Sequence, residues 1–194
     1  MHAKFVINVL CAMVAAVGLS MLFPAGYSLF ADDGLLAAFL LPAVLAAVGG
    51  TGSFFLTRER APYVSIRDVF LMVVLGWIAV ALVGSAPFVL SGTTGYVEAL
   101  FDSMAGFTTT GASTLSPEEI PPSLLLWRSM SQWIGGIGIV LLFVAVAPLA
   151  GFGASNLFSA EMANPIPERM TPRIGQTAKI LSYVYLGLTL GGIA

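Results

Sequence analysis

The chain has 194 residues, of which 58% are hydrophobic and 9% are charged, and its mean hydropathy is +0.94. Because soluble domains carry about 25% charged residues, this composition excludes an ordinary water-soluble globule, and it equally excludes a disordered chain. The net charge of −2 argues against a nucleic-acid-binding surface, which needs a basic field. The composition therefore predicts an integral membrane protein.

The residues that most often carry chemistry are scarce. The chain has one histidine, His2, and one cysteine, Cys11, so it can form neither an internal disulfide nor a Cys/His metal site within the fold. If the chain were a serine hydrolase, Ser53 would be the candidate nucleophile, but no histidine lies in any apolar segment to activate it. We therefore expect no enzymatic activity and no covalent cofactor.

Apolar segments long enough to cross a bilayer, about 20 residues each, recur along the chain. They lie at roughly residues 5–30, 34–56, 69–90 and 124–149. Pro24 is expected to kink the first span, which is too long for the apolar region of a cleaved signal peptide, about 7–15 residues. Another helix is expected from Ile174, with an apolar part of only about 15 residues, so the chain is expected to stop within a span.

Basic residues predict the orientation of these spans. One set of helix ends contains most of them, namely Lys4, Arg58, Arg60, Arg67, Arg169, Arg173 and Lys179. Arg128 falls at the opposite set of ends. The N-terminus and the loops at 57–67 and 150–173 are therefore predicted to be cytoplasmic.

A short helix is predicted between the third and fourth spans, where the chain has to leave the outer surface and return to it. Apolar side chains recur there at helical spacing, at Val97, Leu100, Phe101, Met104 and Phe107. Thr94 or Gly95 can cap the start of this helix. Over residues 95–107 it is roughly 20 Å long, which enters a membrane core of about 30 Å without crossing it.

The residues after this helix form a polar run, Thr108-Thr109-Thr110-Gly111-Ala112-Ser113. Extended backbone at membrane depth is tolerated only where it is buried in protein or lines a water-filled path. A re-entrant helix followed by such a strand is typical of cation filters, whose backbone carbonyls replace the ion's hydration shell. Gly111 permits backbone angles that turn carbonyls towards the path. The alternative is an ordinary external loop with one amphipathic helix over residues 92–122.

Several motifs resemble the TrkH/TrkG membrane subunits of bacterial Trk potassium uptake systems, a superfamily of K⁺ transporters that includes KtrB. The sequence FTTTGASTL at residues 107–115 resembles their first pore loop. The resemblance continues in RSMSQWIGGIGI at 128–139, and in shorter motifs at 21–24, 160–162 and 173–179. It covers essentially the whole chain.

The resemblance implies an all-α membrane fold with a K⁺-channel-like architecture. The family has four helix–pore-loop–helix repeats in one polypeptide, preceded in TrkH by two extra helices. On this basis residues 1–66 would be a two-helix N-terminal membrane domain, 67–149 the first repeat with its filter at 108–113, 150–173 a cytoplasmic connector, and 174–194 the truncated first helix of the second repeat.

The resemblance also assigns the ion-binding residues. The carbonyls of Thr109 and Thr110 would contact K⁺ directly. Those of Thr108 and Gly111 would complete the part of the filter that the first repeat supplies. K⁺ would enter the cytoplasm through this filter, by a channel-like or symport mechanism.

Further residues are expected to support this filter. Glu98 and Asp102 lie one turn apart on the short helix, where Glu98 is either part of an acidic mouth or a helix-start charge. Asp102 lies deeper, so a structural role is expected for it, with Arg128 as its partner. Ser113 is expected to support the short helix together with Asp102.

Three small residues on the fourth span are expected to pack against a neighbouring helix. Ser131, Gly135 and Gly138 lie at positions i, i+4 and i+7, which places them on one helix face. Small residues on such a face allow a close approach between helices inside a membrane. This face is expected to hold the short helix of residues 95–107 in place.

One departure from the family pattern is that this sequence has a single pore loop. It is therefore expected to be an N-terminal fragment of a bacterial inner-membrane transporter, with its N-terminus in the cytoplasm, or else about four copies have to assemble. Besides lipid, the expected partners are the remaining repeats or further copies, and a cytoplasmic nucleotide-binding regulatory subunit of the TrkA type. The alternatives are a non-conducting structural or accessory subunit and a homo-oligomeric single-repeat cation channel.

Overall fold

The computed structural model describes residues 3–56, 66–146 and 171–193, which contain seven α-helices and no β-strand. The helices are α1 Ala3–Ser20, α2 Leu22–Ala31, α3 Leu36–Leu56, α4 Ile66–Leu90, α5 Tyr96–Phe107, α6 Pro122–Val146 and α7 Thr171–Ile193. The all-helical membrane fold predicted from the sequence is confirmed. The predicted basic loop at 57–62 and most of the predicted connector at 150–173 lie outside the described residues.

The contacts divide the chain into two compact units, residues 1–136 and 137–194. In the first unit, three segments are long and apolar enough to cross a membrane, namely Ala3–Ala31, Leu36–Phe55 and Arg67–Leu90. They correspond closely to the first three predicted spans. In the second unit, hydroxyls of α7 are satisfied within the helix, since Ser182 donates to the Ala178 carbonyl and Thr189 to the Tyr185 carbonyl.

The first span is irregular at Met21 but continues through it. Helix α1 ends at Ser20 and α2 begins at Leu22, yet the Met21 N–H donates to the Val17 carbonyl and the Ala25 N–H donates to the Met21 carbonyl. Pro24 explains the position of the irregularity, because it has no N–H to donate to the Ser20 carbonyl four residues earlier and its ring clashes with that carbonyl.

Helices α1, α3 and α4 pack against one another. Glycines allow α1 and α3 to approach closely: a Cβ on Gly18 would lie 3.0 Å from the Ala43 carbonyl oxygen, and one on Gly50 would lie 2.7 Å from the Cys11 carbonyl oxygen. The Asn8 side chain also donates to the Phe54 carbonyl at 2.7 Å. Helices α1 and α3 thus hold α4 in place, and the short helix α5 packs against α4.

The buried core of the first unit is one cluster that takes side chains from α1 to α6. Its largest members are Trp127, Phe39, Phe88 and Phe107, each at most 1% exposed. Outward-facing positions on α1 to α4 are also apolar, and Phe30 at 90% and Phe55 at 70% are examples. Apolar residues on both sides of a helix are typical of a protein surrounded by lipid or by further transmembrane helices.

The turn between α2 and α3 reaches across the fold to the start of α6. The Asp33 carboxylate accepts hydrogen bonds from the Ser28 hydroxyl, from the Leu35 N–H at 3.2 Å and from the Ser123 N–H at 3.1 Å. Burial raises the pKa of Asp33, but contacts with Ser123, Ser28 and these amides outweigh burial and hold the pKa below its ordinary value. Asp33 thus caps the first turn of α6 through Ser123, a residue 90 positions later in the chain.

Candidate functional site

The short helix α5 ends in a tight cap that starts the threonine run. The Thr109 N–H donates to the Gly106 carbonyl at 3.0 Å, and the Thr110 N–H donates to the Ala105 carbonyl at 3.0 Å. Thr109 has a φ of +58°. These two hydrogen bonds and the left-handed residue are the features of a Schellman motif, in which glycine normally takes the position that Thr109 occupies.

The cap determines where the next carbonyls point. Three successive amides, those of Thr109, Thr110 and Gly111, are directed at the carbonyls of Ala105 and Gly106 at the helix end. In a trans peptide the C=O points opposite to the N–H of the following residue, and the described residues contain no cis bond. The carbonyls of Thr108, Thr109 and Thr110 therefore all point away from α5.

The handedness of the backbone agrees with this arrangement. Thr108 has a φ of −82°, Thr109 of +58° and Gly111 of +75°, whereas Thr110 is not among the residues with positive φ. Alternating handedness collects N–H groups on one side of a chain and carbonyls on the other. Within the described part of the chain no donor reaches the Thr108, Thr109 or Thr110 carbonyl. They form a row of free acceptors.

Threonine side chains in the run bond to the helix and to each other. The Thr108 hydroxyl donates to the Met104 carbonyl at 2.8 Å and lies 2.7 Å from the Thr110 hydroxyl. The residues from 108 to 114 are exposed in this single chain. The side-chain contacts therefore leave the carbonyl row accessible.

Behind the run, Asp102 anchors the chain that leaves it. This buried carboxylate, 1% exposed, accepts hydrogen bonds from the Ser113 hydroxyl at 2.5 Å, from the Thr114 N–H and from the Thr114 hydroxyl. Arg128, the expected partner, places Nε 3.9 Å from the Asp102 carboxylate. Its Nη2 instead donates to the Gly111 carbonyl at 3.2 Å.

A rigid aromatic packing holds the end of α5. Phe107 meets Trp127 edge to face with ring centroids 6.0 Å apart, and the Trp127 indole donates to the Gly84 carbonyl at 2.9 Å. A Cβ on Gly84 would lie 2.5 Å from the Phe107 ring. Ser103 adds a hydrogen bond to the Ala81 carbonyl at 2.8 Å. Helices α4 and α6 thus fix the residue that precedes the run.

Two of the three small residues on α6 lie against the same helix end. A Cβ on Gly106 would collide with the Ser131 hydroxyl, and a Cβ on Gly135 would collide with the Phe107 carbonyl. Gly138 belongs to the other compact unit. Ser131 and Gly135 therefore let α6 touch the backbone of α5 one residue before the threonine run.

Glu98 lies away from this packing. It is exposed in the first turn of α5, and its carboxylate folds back to the N-cap residue Gly95. A negative charge at this position is favoured by the helix dipole. Among the described residues no group of three or more His, Cys, Asp or Glu side chains could hold a metal ion.

Sequence reasoning singled out the run and its neighbours but missed three features. It did not foresee the left-handed conformation of Thr109, because a β-branched residue rarely adopts it. It paired Arg128 with Asp102 and not with the Gly111 carbonyl. It also overlooked Trp127, whose signal in the sequence is a large aromatic residue one position before the only arginine of its span.

Comparisons with known proteins identify the family that the chain resembles. The family model described as "TrkH: Cation transport protein" matches residues 36–194. The Trk system potassium uptake protein TrkH of Vibrio parahaemolyticus is 35% identical over 98% of this chain and 40% of its own length. TrkG of Escherichia coli K12 is 31% identical over 96% of this chain and 40% of its own length.

Two further comparisons extend the likeness. An uncharacterized cation transporter of Methanocaldococcus jannaschii is 31% identical over 97% of this chain and 39% of its own length. The crystal structure of the potassium transporter TrkH from Vibrio parahaemolyticus superposes with a TM-score of 0.82 and 31% identity over 98% of this chain and 38% of that one. The chain therefore spans about 40% of the length of the curated relatives it matches.

Proposed function

The chain belongs to the TrkH family of cation transport proteins, and on that premise we propose that it supplies one quarter of a carbonyl-lined filter for K⁺ uptake. The observation that carries this proposal is the row of free carbonyls at Thr108, Thr109 and Thr110, all directed away from α5. A free carbonyl inside a membrane protein needs a partner, and a dehydrated cation is one that three carbonyls in a row can share.

In the proposed mechanism K⁺ loses its water at the external mouth and is received by the carbonyls of Thr109 and Thr110. Thr108 contributes at the inner end. Gly111 contributes at the outer end with the lone pair that its hydrogen bond from Arg128 leaves free. The protein supplies a stabilising field and a path, with no covalent chemistry, and the ion moves down its electrochemical gradient.

The proposed organisation follows the family pattern. Residues 1–66 form the two-helix N-terminal domain, 67–149 form the first repeat, 150–173 connect it on the cytoplasmic side, and the helix from 174 onward begins the second repeat. The other three filter segments come from the remaining repeats. We place the protein in the bacterial inner membrane with its N-terminus in the cytoplasm, where a nucleotide-binding subunit of the TrkA type meets it.

A matched pair of glycine variants tests the filter. Gly111 and Gly92 both have positive φ, +75° and +71°, and neither has an atom within 4 Å of an added Cβ. Valine strains the backbone at both positions, but only Gly111 lies in the run. In the complete transporter, G111V is expected to abolish rubidium uptake or its preference over Na⁺, whereas G92V keeps that preference. Equal K⁺ preference in both variants contradicts the proposal.

Liposomes that contain only the purified 194-residue chain distinguish the other possible assemblies. No uptake by a monomer agrees with one quarter of a filter. Selective uptake by a tetramer-sized species indicates a pore built from four copies. A complete transporter that stays selective after G111V indicates an accessory role for this chain.

A further inference from the structure

The hydrogen-bonding of Arg128 is not that of a simple salt bridge. The Asp102 carboxylate is already occupied by Ser113 and by the backbone and side chain of Thr114. Arg128 Nε, 3.9 Å from that carboxylate, is buried and has no hydrogen-bond partner among the described residues. The hydrogen bond that the guanidinium makes goes to the Gly111 carbonyl at 3.2 Å. The positive charge of Arg128 thus acts on the Gly111 carbonyl as well as on the Asp102 carboxylate.

Gly111 differs from the three threonines in this respect. The Thr108, Thr109 and Thr110 carbonyls are free among the described residues, whereas the Gly111 carbonyl accepts a hydrogen bond from a charged donor. Gly111 itself has no side chain to hold it, and nothing lies within 4 Å of its Cβ position. The Gly111 N–H is held by the Ala105 carbonyl, and the guanidinium is the described contact that holds the Gly111 carbonyl itself.

We propose that Arg128 is a positioning residue for ion selection, which holds the Gly111 carbonyl through its hydrogen bond and so favours K⁺ over Na⁺. This inference rests on the proposed function. Arg128 itself does not touch the ion. It acts through the carbonyl in two ways, by restraining its position and by weakening it as an ion ligand.

Both effects disfavour the smaller ion. A filter has to move its carbonyls inward to coordinate Na⁺, and a carbonyl held by a hydrogen bond resists that movement. A carbonyl that accepts a charged hydrogen bond also presents a weaker field to an ion, and weak-field ligands favour the cation that is less strongly hydrated, here K⁺. Losing Arg128 releases both constraints at the outer site.

The test is R128Q in the complete transporter, with rubidium uptake measured in competition with Na⁺. R128Q is expected to reduce the K⁺ preference about tenfold, which corresponds to the lower end of the free energy that a hydrogen bond from a charged group contributes. S129A is the matched control, because Ser129 is the next residue on α6, is exposed and bonds only to the Leu125 carbonyl of its own helix. It is expected to keep the full preference.

A purely structural role would lower the amount of transporter and the uptake of both ions equally, with the preference unchanged. Unchanged preference in folded R128Q therefore overturns the inference. If the parent transporter shows no K⁺ preference, the proposed function fails instead. The two failures are thus distinguishable.

R128Q leaves the buried Asp102 carboxylate without a cation, which can prevent folding. The double variant D102N/R128Q then decides, because it removes both charges. It is expected to lose the preference to the extent expected for R128Q, whereas D102N alone keeps Arg128 on the Gly111 carbonyl and is expected to lose less of it. The inference is overturned by a double variant that selects K⁺ normally, and also by failure of both Arg128 variants to reach the membrane, since the contact would then serve folding.

Discussion

Replacing Gly135 with alanine adds a single methyl group at the contact between α6 and the end of α5. The added Cβ would collide with the Phe107 carbonyl oxygen and would lie 2.7 Å from its carbon and 3.0 Å from its Cα. These are backbone atoms, so no side-chain rotation can relieve the collision. Phe107 is followed directly by Thr108, and the displacement therefore reaches the proposed filter.

The size of the effect follows from these distances. Ordinary contact begins at 3.4 Å, so the Phe107 carbonyl carbon would have to retreat by roughly 0.7 Å, and its oxygen, which lies closer to the added Cβ, would have to retreat further. Overpacking of this kind costs about 1–3 kcal/mol. Alanine is otherwise the better helix former by about 1 kcal/mol, so a net loss of stability would come from the collision alone.

The assay has two readouts on the complete transporter, the thermal unfolding midpoint and rubidium uptake in competition with Na⁺. G135A is expected to lower the midpoint and to weaken the K⁺ preference. The control is G49A, because Gly49 lies in α3 with no atom within 4 Å of its Cβ position. G135A with the midpoint and preference of the parent transporter would refute the reasoning that α6 positions the carbonyl row through this contact.

Three further predictions concern residues around the filter. D102N weakens the acceptor of the Thr114 hydrogen bonds and is expected to cost about 1–3 kcal/mol of stability, measured by thermal unfolding; an unchanged midpoint would contradict the anchoring role. T109G relieves a left-handed β-branched residue and is expected to stabilise the fold by about 1 kcal/mol in the same assay, whereas a loss of stability would show that its φ of +58° is not strained. Because the pKa of Asp33 lies below 3.8, its contribution to stability is complete above that pH and is lost as the pH falls through the folded pKa. D33N should therefore flatten the dependence of the unfolding midpoint on acid, and an identical acid profile would speak against the cap on Ser123.

Local sequence patterns predicted the elements of this fold well. The charge-free segments match the helices that can span a membrane, and the short helix predicted over residues 95–107 is found at Tyr96–Phe107. Its boundaries were predictable because the apolar spacing ends where the polar run begins. The helix expected from Ile174 starts at Thr171.

Features that depend on tertiary contacts could not be predicted from the sequence. Asp33 and Ser123 are 90 residues apart, so only the packed fold reveals their hydrogen bond. Thr109 adopts a conformation against the preference of its own side chain, and the cap on α5 imposes it. Arg128 was predicted to pair with Asp102, and only the structure shows that Ser113 and Thr114 also bond to that carboxylate and that the guanidinium donates to the Gly111 carbonyl.

The most direct test of the central claim is to locate a permeant ion in a crystal of the complete transporter soaked with rubidium. Anomalous scattering identifies the ion independently of the protein density. The proposed filter predicts a peak at coordinating distance from the Thr109 and Thr110 carbonyls, and its loss in G111V. Rubidium bound elsewhere, with these carbonyls turned away from it, would contradict the claim.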